Sequence, residues 1–123
     1  MINQNVAIIG ASSNPERYSH KAMLLLDKYG YSCSLINPKD TIINGNKVYA
    51  TLSDIKDEVD TVTIYVGVKN QSGLHEQIVS KKCRRVIFNP GTENSQLEDR
   101  LKNSGIKVVR ACTLIMLQTN TFE

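Results

Sequence analysis

Short apolar runs alternate along this chain with amphipathic segments of helix length, and this alternation constrains the fold more than any other feature. The runs are Val6–Ile9, Cys33–Ile36, Val62–Val66, Val86–Phe88 and Lys107–Ala111. Runs rich in β-branched residues and closed by turn residues are typical of strands, and near-continuous apolarity indicates burial on both faces. The pattern therefore predicts strands of a parallel sheet that is covered on both sides.

The segments between the runs carry the spacing of amphipathic helices. Tyr18–Tyr29, Ser72–Lys82 and Asn94–Ser104 are predicted helices, and Ser53–Val59 is predicted to form one or two helical turns. A short extra strand is expected at Val48-Tyr49. Alternating strands and helices predict an α/β, Rossmann-like three-layer sandwich with about five parallel strands and helices on both faces.

Length and composition narrow the class of protein. The 123 residues fit one domain, spanning 1–123, and 41% hydrophobic residues is an ordinary globular balance. A net charge of +3 is too small to indicate a nucleic-acid partner. Cys33, Cys83 and Cys112 form no C-x-x-C pair, so reduced thiols without a metal are expected. Met1–Asn5 shows no secretion signal and no apolar run could span a membrane, which favours a cytoplasmic protein.

The turn after the first predicted strand is a candidate phosphate site. Gly10 permits a sharp turn, and the small residues Ala11, Ser12 and Ser13 would let a phosphate approach their N–H groups. The following helix would direct its positive end to the same place. The full G-x-G-x-x-G fingerprint is not present, so the segment is also consistent with a simple tight turn.

The second strand ends in Asn37, Pro38 and Lys39. NAD-binding domains usually carry Asp or Glu here to bind the ribose hydroxyls. A lysine instead suits a phosphorylated ribose, as in NADP or coenzyme A. A solvated surface lysine is the alternative interpretation.

Two further strand ends offer candidate ligand contacts. Asn89, Pro90 and Gly91 form a turn that would expose backbone to the same cleft, or would be an ordinary strand-to-helix connection. Val66 and Val68 could pack against an adenine or a pantetheine arm, or belong to the core.

The combined motifs resemble the small stand-alone CoA-binding proteins, which are similar to the N-terminal CoA-binding domain of succinyl-CoA synthetase alpha subunits. The matching segments, which together span nearly the whole chain, are residues 6–12, Asn14-Pro15-Glu16-Arg17-Tyr18-Ser19, Asn37-Pro38, residues 45–52 and Asn89-Pro90-Gly91.

The resemblance implies a Rossmann-like fold with coenzyme A or an acyl-CoA as the ligand. By position, residues 10–13 would meet the CoA phosphates, Lys39 would meet the phosphorylated adenosine end, and residues 89–91 would line the same cleft. Arg17 could reach a pyrophosphate oxygen or lie free on the surface. The synthetase's second domain, with its phosphorylated histidine, has no counterpart in this sequence, so the resemblance implies binding and not ligation.

No catalytic constellation can be assembled from the sequence. His20 is expected to cap a helix or lie on the surface, and His75 is expected on the surface. Cys112 follows the last predicted strand and is expected to be a small core residue, the alternative being a mixed disulfide with a thiol ligand.

Three hypotheses about function remain at this point. The leading one is a non-catalytic module or sensor that binds CoA or acyl-CoA, with no nucleic acid or membrane partner and with homo-oligomers allowed. The others are an NADP-binding oxidoreductase-like domain and a structural or protein-interaction domain without a nucleotide ligand.

Overall fold

The structure, a computed structural model, describes residues 5–123. Met1–Gln4, which bear on the expected lack of a secretion signal, lie outside the described residues. The described chain forms a seven-stranded sheet flanked by four α-helices.

The strands and helices follow one another in the predicted alternation. The strands are β1 (Asn5–Ile9), β2 (Ser32–Ile36), β3 (Ile42–Ile43), β4 (Asn46–Tyr49), β5 (Thr61–Ile64), β6 (Arg85–Phe88) and β7 (Lys107–Arg110). The helices are α1 (Tyr18–Lys28), α2 (Leu74–Ser80), α3 (Ser95–Asn103) and α4 (Thr113–Gln118). Short 3₁₀ turns occupy Leu52–Asp54 and Val68–Asn70.

The sheet has the order β3-β4-β2-β1-β5-β6-β7. All neighbours pair in parallel except β3 and β4, which form an antiparallel hairpin. The six parallel strands therefore have the Rossmann order, in which the chain reverses its direction of travel across the sheet between β1 and β5. The prediction of a Rossmann-like α/β fold is confirmed.

Each face of the sheet carries its own hydrophobic core. In β1, Ala7 and Ile9 pack on the face covered by α2 and α3, whereas Val6 and Ile8 pack on the face covered by α1 and α4. Because both faces are buried, all five residues of β1 are buried, which explains the continuous apolar run in the sequence.

Four expectations need correction. The sheet has seven strands because the Asn44-Gly45 turn, at φ 50° and 78°, folds β3 back onto β4. The helical turn expected at Ser53–Val59 is a single 3₁₀ turn at Leu52–Asp54. Helix α4 was not predicted, because its six residues are too few to show a helical period. Cys33 and Cys112 lie in or beside apolar runs, which predicts small core residues, but both are only half-buried, while Cys83 is buried.

Gly10 occupies the point where the sheet reverses its order. Its φ is +92°, and a Cβ added there would lie 2.8 Å from Cγ1 of Val66, just beyond β5. Both the backbone conformation and the space thus require glycine.

We expect Gly10→Ala to lower the free energy of unfolding by roughly 2–5 kcal/mol, because strained backbone and overpacking add. Gly30→Ala is the matched control: its φ is +87°, but nothing lies within 4 Å of the added Cβ. Its loss should be about 1–2 kcal/mol, from backbone strain alone. Urea denaturation of both variants measures the difference, and equal losses would contradict the contact with Val66.

Candidate functional site

A cleft of about 730 Å³ opens at the carboxyl ends of the parallel strands. It is lined by residues that follow β1, β2, β4, β5 and β6, among them Ser12, Asn37, Thr51, Val66 and Thr92. Ligands of open parallel sheets bind at this edge, next to the point where the strand order reverses. The volume lies within the roughly 300–1,000 Å³ that is usual for small-molecule sites.

The backbone of the turn after β1 has fewer free donors than the sequence indicated. The N–H groups of Gly10 and Ala11 both donate to the carbonyl of Ile36, at 3.0 and 3.1 Å. Among residues 10–19, the N–H groups without an acceptor in the described chain are those of Ser12, Ser13, Tyr18 and Ser19. Gly10 and Ala11 thus shape the wall of the cleft. Ser12 lines the cleft with a free N–H group, whereas Ser13 is exposed and is not among the described residues that line it.

The start of α1 is open to the cleft. Arg17 is the N-cap residue but makes no side-chain capping bond, so the N–H groups of Tyr18 and Ser19 lack intrahelical acceptors. Both residues line the cleft. Unsatisfied N–H groups at a helix start favour a bound anion, and the helix dipole acts in the same direction.

Asn37 braces the turn through its side-chain amide. Its Nδ2 donates to the Ala11 carbonyl at 2.7 Å, and its Oδ1 accepts from the Lys39 N–H at 2.7 Å. The C=O and N–H of one peptide unit point in opposite directions. By holding the Ala11 carbonyl, Asn37 therefore directs the Ser12 N–H away from itself.

The charges at the cleft have one sign. Arg17 and Lys39 line it, and no carboxylate is found among its described lining residues. Both cations are exposed, and neither forms an ion pair with another residue of 5–123. This charge favours anions at the cleft, and the Asp40 carboxylate, 3.5 Å from Nδ2 of Asn37, acts in the opposite direction.

The loop after β6 is divided between structural and cleft-facing residues. Asn89 is buried: its Nδ2 donates to Thr63 Oγ1 at 2.6 Å and to the Ile64 carbonyl at 2.9 Å, and its Oδ1 accepts from the Thr113 N–H. Gly91, at φ +92°, makes the turn, and only Pro90 of the predicted triplet lines the cleft. Asn89 thus fixes this loop from behind.

The valines after β5 separate in the same way. Val66 lines the cleft and packs against the core, whereas Val68 is 52% exposed on the 3₁₀ turn and lies outside the cleft lining. Tyr65, which the sequence did not single out, also lines the cleft. Burial raises the pKa of Tyr65 to about 12, so its phenol stays protonated.

Gln71 is a further residue that sequence reasoning missed. It is buried, and its Nε2 donates to the carbonyls of Val66 (3.0 Å) and Thr92 (2.8 Å), which joins the loops after β5 and β6. Its Oε1 accepts from Asn94, the N-cap of α3. A single glutamine in a polar segment gives no sequence signal of such a role.

His20 differs from expectation, whereas His75 and Cys112 lie outside the cleft lining. His20 is only 4% exposed, which contradicts the expected surface role, and its ring bonds the Ser12 carbonyl and Asn44 and caps no helix N–H group of the described chain. His75 is half-buried on α2 and bonds Ser104 and Arg100, away from the cleft. Cys112 is not among the described residues that line the cleft.

Neither a metal centre nor a membrane span is found in the described part of the chain. Residues 5–123 bring no three His, Cys, Asp or Glu side chains together in a group that could hold a metal ion. The helices formed by these residues are all too short or too polar to cross a bilayer.

The strand order and the place of the cleft define a Rossmann-like α/β domain. The chain belongs to the CoA binding domain family, whose model matches residues 4–118. This confirms the resemblance stated from the sequence.

Proteins similar to this chain include a subunit of a much larger ligase and small uncharacterized proteins of about the same length as this chain. It is 39% identical to the acetate–CoA ligase (ADP-forming) I subunit alpha of Pyrococcus furiosus over 116 residues, which cover 85% of this chain but 25% of that subunit. It is 23% identical over 107 residues to the uncharacterized protein YneT of Bacillus subtilis, covering 87% of this chain and 79% of YneT. A crystal structure of an uncharacterized protein matches with a TM-score of 0.91 at 37% identity, over 99% of this chain and all of that one (100%).

The brace formed by Asn37 can be tested with one added charge. We expect Asn37→Asp to weaken the binding of any anion, CoA included, at this turn, because it removes the donor to Ala11 and places a carboxylate between the turn and Lys39. Gln96→Glu adds the same charge on α3, outside the cleft, and should leave binding unchanged. Isothermal titration calorimetry with CoA compares the two variants, and equal affinities would contradict the role of Asn37.

Proposed function

We propose that this protein binds coenzyme A or an acyl-CoA in the cleft at the carboxyl edge of the sheet, as a binding module or sensor and not as a catalyst. One observation carries the proposal: two cations without an ion-pair partner and free backbone N–H groups occur together at one cleft. No carboxylate within residues 5–123 lines this cleft, and the fold is that of the CoA binding domain family.

The phosphates of the ligand would divide between two parts of the cleft. The pyrophosphate would lie on the N–H groups of Ser12 and Ser13 and the open start of α1, within reach of Arg17. The 3′-phosphate would meet Lys39, after β2, where a domain selective for NAD usually carries an acid. The uncharged remainder of the ligand would extend past Val66, Tyr65 and Pro90.

The free thiols support a cytoplasmic protein. Cys33, Cys83 and Cys112 are all unpaired. Burial raises the pKa of Cys33 to about 12 and that of Cys83 to about 11, which keeps both protonated. Unpaired thiols are usual in a reducing compartment.

A comparison of ligands tests the proposal and separates it from its rivals. Titration calorimetry and thermal shift should show binding of CoA, with weaker binding of dephospho-CoA and NAD. If NADP binds and CoA does not, the oxidoreductase-like alternative is favoured. If none of the four ligands gives heat or a thermal shift, the proposal of a nucleotide ligand is wrong.

The role of Lys39 has its own expected result. Lys39→Ala should weaken the binding of CoA by about tenfold. A hydrogen bond to a charged group contributes at least roughly 1.5 kcal/mol, and the low value applies here because Lys39 is exposed. Dephospho-CoA, which lacks the 3′-phosphate, should bind the variant and the parent protein equally. Lys56→Ala, at the opposite end of the sheet, is the matched control and should change neither affinity.

A further inference from the structure

His20 is a buried polar side chain directly behind the turn that follows β1. It is the third residue of α1 and is 4% exposed. Its Nδ1 lies 2.7 Å from the Ser12 carbonyl oxygen, and its Nε2 lies 3.5 Å from Nδ2 of Asn44. The imidazole thus joins the turn at the cleft to the hairpin turn between β3 and β4.

The hydrogen bonds fix which ring nitrogen carries the proton. A carbonyl oxygen can only accept, so Nδ1 must carry the hydrogen and donate it to Ser12. In the neutral ring Nε2 is then an acceptor, which matches the side-chain amide donor of Asn44. Both nitrogens therefore have suitable partners, as buried polar groups require.

The bond to Ser12 has a consequence for the neighbouring peptide N–H. The Ser12 carbonyl and the Ser13 N–H belong to one planar peptide unit and point in opposite directions. Holding the carbonyl toward His20 directs the Ser13 N–H away from the helix interior, and Ser13 is exposed. Asn37 has the same relation to the Ala11 carbonyl and the Ser12 N–H.

We infer that His20 is a positioning residue for anion binding: it fixes the Ser12–Ser13 peptide plane so that the Ser13 N–H is presented to a phosphate. The two peptide units of the turn before α1 that offer free N–H groups, those of Ser12 and Ser13, are thus each held from behind, one by Asn37 on the β2 side and one by His20 on α1. This inference rests on the proposed function, since it concerns the same site.

Substitutions at position 20 separate positioning from mere packing. His20→Leu fills the same space with an apolar side chain of moderate size but removes the hydrogen-bond donor. It should weaken the binding of CoA by at least about tenfold. His20→Asn places an amide N–H near the position of Nδ1 and should bind CoA within about threefold of the parent protein. His75→Leu removes the other histidine, outside the cleft, and should leave affinity unchanged. Urea denaturation without ligand gives the stability of each variant.

A measurement on the unmodified protein keeps the inference testable if His20→Leu fails to fold. In two-dimensional amide NMR, inorganic pyrophosphate should shift the Ser12 and Ser13 signals. The Gly10 and Ala11 signals should move less, because those N–H groups already donate to Ile36. The same titration is repeated with CoA.

The outcomes separate a failure of the proposed function from a failure of the inference about His20. If the parent protein binds neither CoA nor pyrophosphate, the proposed function fails and this inference fails with it. If the parent binds but the Ser13 amide does not shift, His20→Leu binds like His75→Leu, or His20→Asn binds as weakly as His20→Leu, then only the inference about His20 is overturned. Rescue by His20→Asn together with a shifted Ser13 amide supports it.

Discussion

The carbonyl of Ile36, the last residue of β2, accepts hydrogen bonds from both Gly10 and Ala11. This paired contact ties the turn after β1 to the neighbouring strand, on the opposite side of β1 from Val66. On that other side, Cγ1 of Val66 leaves no room for a side chain at position 10, where a Cβ would lie 2.8 Å away, at the point where the strand order reverses. The geometry of the cleft depends on this fixed turn, because the later donors, Ser12, Ser13 and the start of α1, all follow from it.

The rest of the cleft is built from polar side chains that act on backbone. Asn37, Gln71, Asn89 and His20 each bond carbonyl or N–H groups of loops at the carboxyl edge. Such bonds hold the loops in place, and backbone N–H groups and two cations at the cleft are left without partners in residues 5–123. Donors that are fixed in advance in this way would require little rearrangement on binding an anion.

Much of the fold was predictable from the sequence, for a physical reason. Strands buried on both faces give apolar runs that are hard to mistake, and the glycine and Asn-Pro punctuation marks their ends. Weaker elements were missed because their signal is short: β3 has two residues and α4 has six. For the candidate site, the loops that the sequence singled out lie around one cleft, since loops at the carboxyl edge of a parallel sheet converge.

What the sequence determined by itself was the class of fold, the edge of the sheet where the candidate cleft lies, and the two cations, Arg17 and Lys39, that line it. Only the tertiary structure decided which groups of those loops are free. Gly10 and Ala11 looked like donors until Ile36 was found to accept both N–H groups, and Asn89 looked like a ligand contact until its amide was found buried. His20 bonds the carbonyl of a residue eight positions earlier, and the nearest carbonyl that Gln71 bonds is five positions earlier. Neither bond could be predicted from the sequence. Hydrogen-bond partners are set by how segments pack, and a one-dimensional pattern carries little information about which donors that packing leaves unused.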